Sequence, residues 1–161
     1  MSRTHPRCAL ITIGQAPRDD ILREVLAPAY AQRIILEQFG VMDGMNSTEI
    51  DAIRPIGDER CFFTRLSNGN FVSVQARPIE ERLRGMVAAI DEQGYDLIVL
   101  LSTGIFESWP LRTRLIHSQK LLDLWIDALV MGDRSLGIVL PQQFIASSGE
   151  EGGTTAMQTA L

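Results

Sequence analysis

Two turns in this sequence carry residues suited to gripping a small anion. The first is Gly14-Gln15-Ala16-Pro17-Arg18, entered from Thr12, and the second is Ser102-Thr103-Gly104. In the first, backbone N–H groups at the start of a helix would attract a carboxylate, and Arg18 would add a bidentate contact. The alternative is that Gly14 only makes the turn and Arg18 is a solvated helix residue. In the second, two hydroxyls and a glycine allow close approach to a carboxylate. Ser102 becomes a nucleophile only with a base beside it. The two histidines are His5, near the N-terminus, and His117, near a helix start, so no Ser-His-acid triad is visible. A capped turn is the alternative for Ser102. Asp43, between Gly40 and Gly44, could meet an amine or hydroxyl of a ligand, or simply form a turn.

Other chemistries lack a pattern. No GxGxxG, GxxxxGK[ST], HExxH or CxxC occurs, so no nucleotide, metal or other cofactor is expected. Cys8 and Cys61 each begin an apolar run and read as small buried hydrophobes. Trp109, Arg112 and Arg114 follow the serine turn and read as a loop, a candidate lid over the pocket.

The elements that must position these turns alternate. Cys8–Ile13 is a short run, apolar on both faces, as in a strand covered on each side. Pro17 opens a helix with Asp19 and Asp20 in its first turn, and Pro28 ends it. A second strand over Arg33–Phe39 leads through Gly40–Gly44 to a short helix capped by Ser47 or Asn46. Between 61 and 75 the rhythm breaks: apolar runs flank Ser67-Asn68-Gly69-Asn70, a hairpin signal. A helix then follows, opened by Pro78, striped by Ile79, Leu83, Met86, Val87 and Ile90, and closed by Gly94. Tyr95–Leu101 is a buried strand. A helix over 118–131 should bury Leu121, Leu122, Trp125, Ile126, Leu129 and Val130, and Leu136–Pro141 reads as a further strand. The expected fold is α/β, a mainly parallel doubly wound sheet with an inserted β-hairpin, occupying 1–146, with 147–161 a mobile polar tail. Ligands of such sheets bind beyond the carboxyl ends of the strands, where both turns fall.

Composition sets the outer limits. At 161 residues and 45% hydrophobic, one domain with a real core is expected. A net charge of −5 without like-charge blocks argues against nucleic acid. No apolar run approaches the ~18 residues of a membrane span, and residues 1–6 are too short and polar for a signal peptide. The expected setting is cytoplasmic, with no membrane partner.

Thr12-Ile13-Gly14-Gln15-Ala16-Pro17-Arg18-Asp19-Asp20 resembles the opening signature of the AroM family. The similarity continues through Phe39–Gly44, the hairpin, Tyr95–Gly104 and Leu136–Pro141, covering about residues 8 to 145. The resemblance implies a relation to aspartate/glutamate racemases, whose fold is two similar α/β halves around the ligand; this chain would correspond to the N-terminal half. Those enzymes need no cofactor and use two thiols, one from each half, on opposite sides of the substrate's α-carbon. The first thiol's position is held here by Ser102. The second half, with its strand ending in an Asp-Cys-Leu-Gly-type motif, has no counterpart here, so the expectation is a chain truncated at its C-terminus relative to the family. The implied function is binding of a small carboxylate metabolite at Thr12, Gly14, Gln15, Arg18, Asp43, Thr103 and Gly104. Ser102 is the one candidate catalytic residue, for a racemase- or isomerase-like reaction. A non-catalytic ligand-binding or accessory role, or a remnant that hides apolar surface as a homo-oligomer, are the alternatives.

Overall fold

The run Cys8–Thr12 is buried along its whole length, and this places it in the middle of a sheet. A strand apolar on both faces gains most from burial when it has neighbours on each edge and helices above and below. In the computed structural model, which describes residues 5–130 and Gly137, β1 (Arg7–Thr12) has β2 (Ile35–Gly40) on one side and β5 (Leu97–Leu101) on the other, both parallel. The sheet runs in the order β2-β1-β5-β6, with β6 (Arg114–His117) parallel at the edge beside β5. Helices α1 (Asp19–Val25), α2 (Pro28–Ala31), α3 (Ser47–Ala52), α4 (Ala76–Asp91) and α5 (Ser118–Leu129) connect and flank the strands. The inserted hairpin β3 (Cys61–Arg65) and β4 (Phe71–Gln75) forms a separate antiparallel sheet. The fold is therefore of the expected α/β class.

Strand order determines where a cleft opens. The chain passes from β1 outward to β2, then returns to place β5 on the other side of β1. The order reverses between β1 and β5, and the crevice of an open parallel sheet falls at that reversal, beyond the carboxyl ends of the two strands. Thr12 lies opposite Leu101 in the register, so Ile13 and Ser102 leave the sheet side by side.

Several local expectations hold, each for a visible reason. Asn46, rather than Ser47, caps α3: its side chain accepts from Glu49 N while Glu49 accepts from Asn46 N, a reciprocal capping box. The hairpin turns through Gly69 at φ +90°, a conformation that costs glycine little. On α4, Ile79, Leu83, Val87 and Ile90 recur at helical spacing and all are buried, while Met86 is half-buried against them. Each such burial contributes ~1.5–3 kcal/mol before opposing costs.

Four expectations are corrected. The first helix starts at Asp19, two residues beyond Pro17, because Arg18, at φ −114° and ψ 58°, is not yet helical and Pro17 lies in the turn before it. Pro28 opens α2 as its first residue, where its missing N–H costs nothing. Residues 109–114 are not loop throughout: Arg114 begins β6, which is too short and too polar to declare itself in sequence. Finally, α5 buries no residue. Leu121, Leu122, Trp125 and Leu129 are 55, 37, 66 and 46% exposed, and Ile126 and Val130 are half-buried. The reason lies in its partner, since β6 is the last strand among the described residues and offers no sheet surface beyond itself. The strand expected at Leu136–Pro141 and the tail from 147 lie outside the described residues, Gly137 apart.

Candidate functional site

A cleft of about 310 Å³ opens at the reversal between β1 and β5, lined from one side by Thr12, Ile13, Leu101, Ser102 and Thr103. That size is at the lower end of the ~300–1,000 Å³ typical of small-molecule sites. Arg18 and Ile21 line it from the loop and helix after β1, and Ser118 from the start of α5. The hairpin supplies the facing wall through Phe62, Phe63, Thr64, Arg65 and Phe71.

The structure thus brings Thr12, Arg18, Ser102 and Thr103 to one cleft, and gives Gly14, Gln15, Asp43 and Gly104 other work. Gln15 is a staple. Its Oε1 accepts from Ser67 N and Oγ at 2.9 Å each, and its Nε2 donates to the carbonyls of Met42 and Met45 at 3.3 Å. Asp43 ties two turns together, accepting from Ala16 N at 2.8 Å and Gly40 N at 2.7 Å. Gly14 lies so close to the hairpin that a Cβ would overlap the Arg65 carbonyl oxygen. A Cβ at Gly104 would press into the rings of Phe62 and Phe106. These four residues hold the hairpin and turns that form the walls.

Three backbone N–H groups of the turn are already engaged. Gln15 N donates to Arg65 O, Ala16 N to Asp43 and Arg18 N to Gln38 Oε1, while Pro17 has no N–H. Formal positive charge at this cleft comes from the side chains of Arg18 and Arg65. Arg18 donates from Nε and Nη2 to the two carboxylate oxygens of Asp20, both at 2.9 Å. Arg65 donates to the same carboxylate at 2.7 Å through Nη1, and to the Gly69 carbonyl through Nε. Two guanidiniums share one carboxylate, so the trio carries a net charge of +1. The hydrogen bonds from Arg18, and then the charges of Arg18 and Arg65, hold the Asp20 carboxyl well below the usual range.

Arg65 and the hairpin phenylalanines were not singled out from sequence. The hairpin itself was legible from Asn68-Gly69, but its docking over the strand ends uses contacts between distant residues, Gln15 with Ser67 and Asp20 with Arg65 among them, which no local pattern reveals. At the second turn, Ser102 Oγ accepts from Gly104 N at 3.2 Å, the capped-turn geometry. Among the described residues its hydroxyl has no hydrogen bond to a basic side chain. His117 ends β6 and is buried beside Phe106 with ring centroids 5.4 Å apart; that burial lowers its pKa from the ordinary imidazole value. No group of three or more His, Cys, Asp or Glu is gathered as for a metal, among the described residues. No described helix is long and apolar enough to cross a membrane.

With this geometry in view, a family model described as AroM protein matches residues 8–151. No curated protein and no solved structure matches the chain.

Proposed function

The chain belongs to the AroM family, and on that footing we propose that it binds a small carboxylate metabolite in the cleft between β1, β5 and the hairpin. The observation that carries this reading is the pair Arg18 and Arg65, the only charged residues among the described ones lining a cleft otherwise edged by hydroxyls and apolar side chains. Asp20 satisfies part of their hydrogen-bonding capacity. It leaves Arg18 Nη1 and Arg65 Nη2 without a hydrogen bond to the described residues. A ligand carboxylate would take such donors, with Thr12, Ser102 and Thr103 hydroxyls completing its shell.

Binding without chemistry is favoured over an isomerase-like reaction. Moving a proton at an α-carbon needs a group that titrates near neutrality and reaches the substrate. Ser102 is a far weaker acid than a thiol and no base is hydrogen-bonded to it. Cys8 is buried in β1 and its thiol is pushed up by that burial, away from the proton-carrying range.

The test is an NMR titration of the intact chain with short mono- and dicarboxylates. The expected result is saturable shifts at the amides of Thr12, Ile13, Arg65, Ser102 and Thr103. Absence of shifts there in a folded protein would end the proposal. Exchange of α-protons of the same acids in deuterated water, abolished by Ser102→Ala, would instead restore the enzyme reading.

A further inference from the structure

The geometry points to a monocarboxylate with an apolar body as the ligand of this cleft, in preference to a short dicarboxylate. This inference rests on the carboxylate reading above and adds the rest of the molecule that carries the charge. Arg18, Arg65 and Asp20 sum to a single positive charge, enough to balance one carboxylate. Away from the guanidiniums the cleft is walled by Ile13, Ile21, Phe62, Phe63, Phe71 and Leu101. A second carboxylate would find only neutral hydroxyls and these apolar side chains, with no counter-charge to offset its desolvation.

The aromatic pair on the hairpin carries the other half of the argument. Phe63 and Phe71 stack nearly flat, with centroids 5.1 Å apart and planes inclined by 11°. Phe71 is nevertheless 59% exposed, although it lines the cleft. A phenylalanine left in water at the edge of a cleft gains from being covered, and a flat or branched hydrocarbon group anchored by its carboxylate at Arg65 would cover it. The hydroxyls of Thr12, Ser102, Thr103 and Ser118 sit on the strand-end side of the cleft, opposite the hairpin. The ligand therefore sets its carboxylate at Arg18 and Arg65 and its apolar body against Phe63 and Phe71, with the strand-end hydroxyls along its remaining edge.

Calorimetry on the intact chain tests this with phenylacetate, succinate, acetate and benzyl alcohol. Phenylacetate is expected to bind about tenfold more tightly than succinate, equivalent to ~1.4 kcal/mol. Phe71→Ser is expected to remove that margin, and Phe71→Leu to retain part of it. Because Phe71 is largely exposed, both variants should fold, and circular dichroism verifies this. Succinate binding as tightly as phenylacetate, or a margin that survives in folded Phe71→Ser, overturns the inference. Benzyl alcohol matching phenylacetate also overturns it, since the charge would then contribute nothing. If no acid binds at all, the carboxylate reading itself fails, a result distinct from a wrong ranking.

Discussion

Asp20 occupies an unusual position for an acidic residue, clamped between Arg18 and Arg65, the two cationic residues that line the cleft. Its folded-state pKa is depressed relative to the ~3.9 of an unfolded aspartate. The clamp's contribution is thus fully present above about pH 4 and is lost as pH falls toward the folded pKa. The side chain is 38% exposed, so solvent screens the pair and the contribution should be only ~0.5 kcal/mol. Urea unfolding of Asp20→Asn should show a deficit of that order at pH 7 that shrinks below pH 4. A deficit independent of pH would contradict the clamp. The thiols separate by burial: Cys8 is buried and Cys61 half-buried, so Cys61 should react with a thiol reagent well before Cys8 in the folded protein. Equal rates would place Cys8 outside the sheet. Residue types at strand ends were readable, which is why Thr12, Arg18, Ser102 and Thr103 could be named in advance. Roles were less so. Gln15 has the composition of a ligand-binding residue, but its reach to Ser67, Met42 and Met45 is a tertiary fact.

At the scale of elements, the hairpin depends on Gln15 for its seat over the sheet. Removing four hydrogen bonds that are partly open to solvent by Gln15→Ala should cost ~2 kcal/mol. Hydrogen exchange of the Cys61–Gln75 amides should rise more than that of β1. Exchange accelerated equally everywhere would mean that Gln15 serves the fold in general. The capping box of α3 gives a cleaner local test: Asn46→Ala should lower stability by ~1 kcal/mol in a denaturant titration. Elements announced by turn chemistry or long periodicity, such as the Asn68-Gly69 hairpin and the stripe of α4, were legible. β6 was not, because four residues with two polar ends carry no period, and its pairing with β5 is made across sequence. The start of the first helix was misplaced for a related reason, since Pro17 fits a helix N-terminus but lies in the turn before it.

Over the whole molecule, stability and binding are expected to reside in different places. The core gathers where α4 covers β1 and β5, around Ile11, Ile79, Leu83, Ile98 and Leu100. Ile79→Ala there should cost ~2–5 kcal/mol. Leu124→Ala on exposed α5 should cost no more than ~0.5 kcal/mol, because little surface is lost from the core. Matching losses at the two positions would show that α5 is covered by something beyond residues 5–130. The sheet order, with its reversal between β1 and β5, places the turns that follow these strands side by side without either being part of the core. The proposed binding rests most directly on Arg65, the hairpin cation that meets the strand-end hydroxyls at one cleft. Calorimetric titration of propionate into the wild-type chain, Arg65→Gln and Arg84→Gln measures this. Arg84 pairs with Glu107 and does not line the cleft. A charge-assisted contact predicts at least about a tenfold loss of affinity in Arg65→Gln and nearly none in Arg84→Gln; equal affinities in all three folded proteins would contradict it.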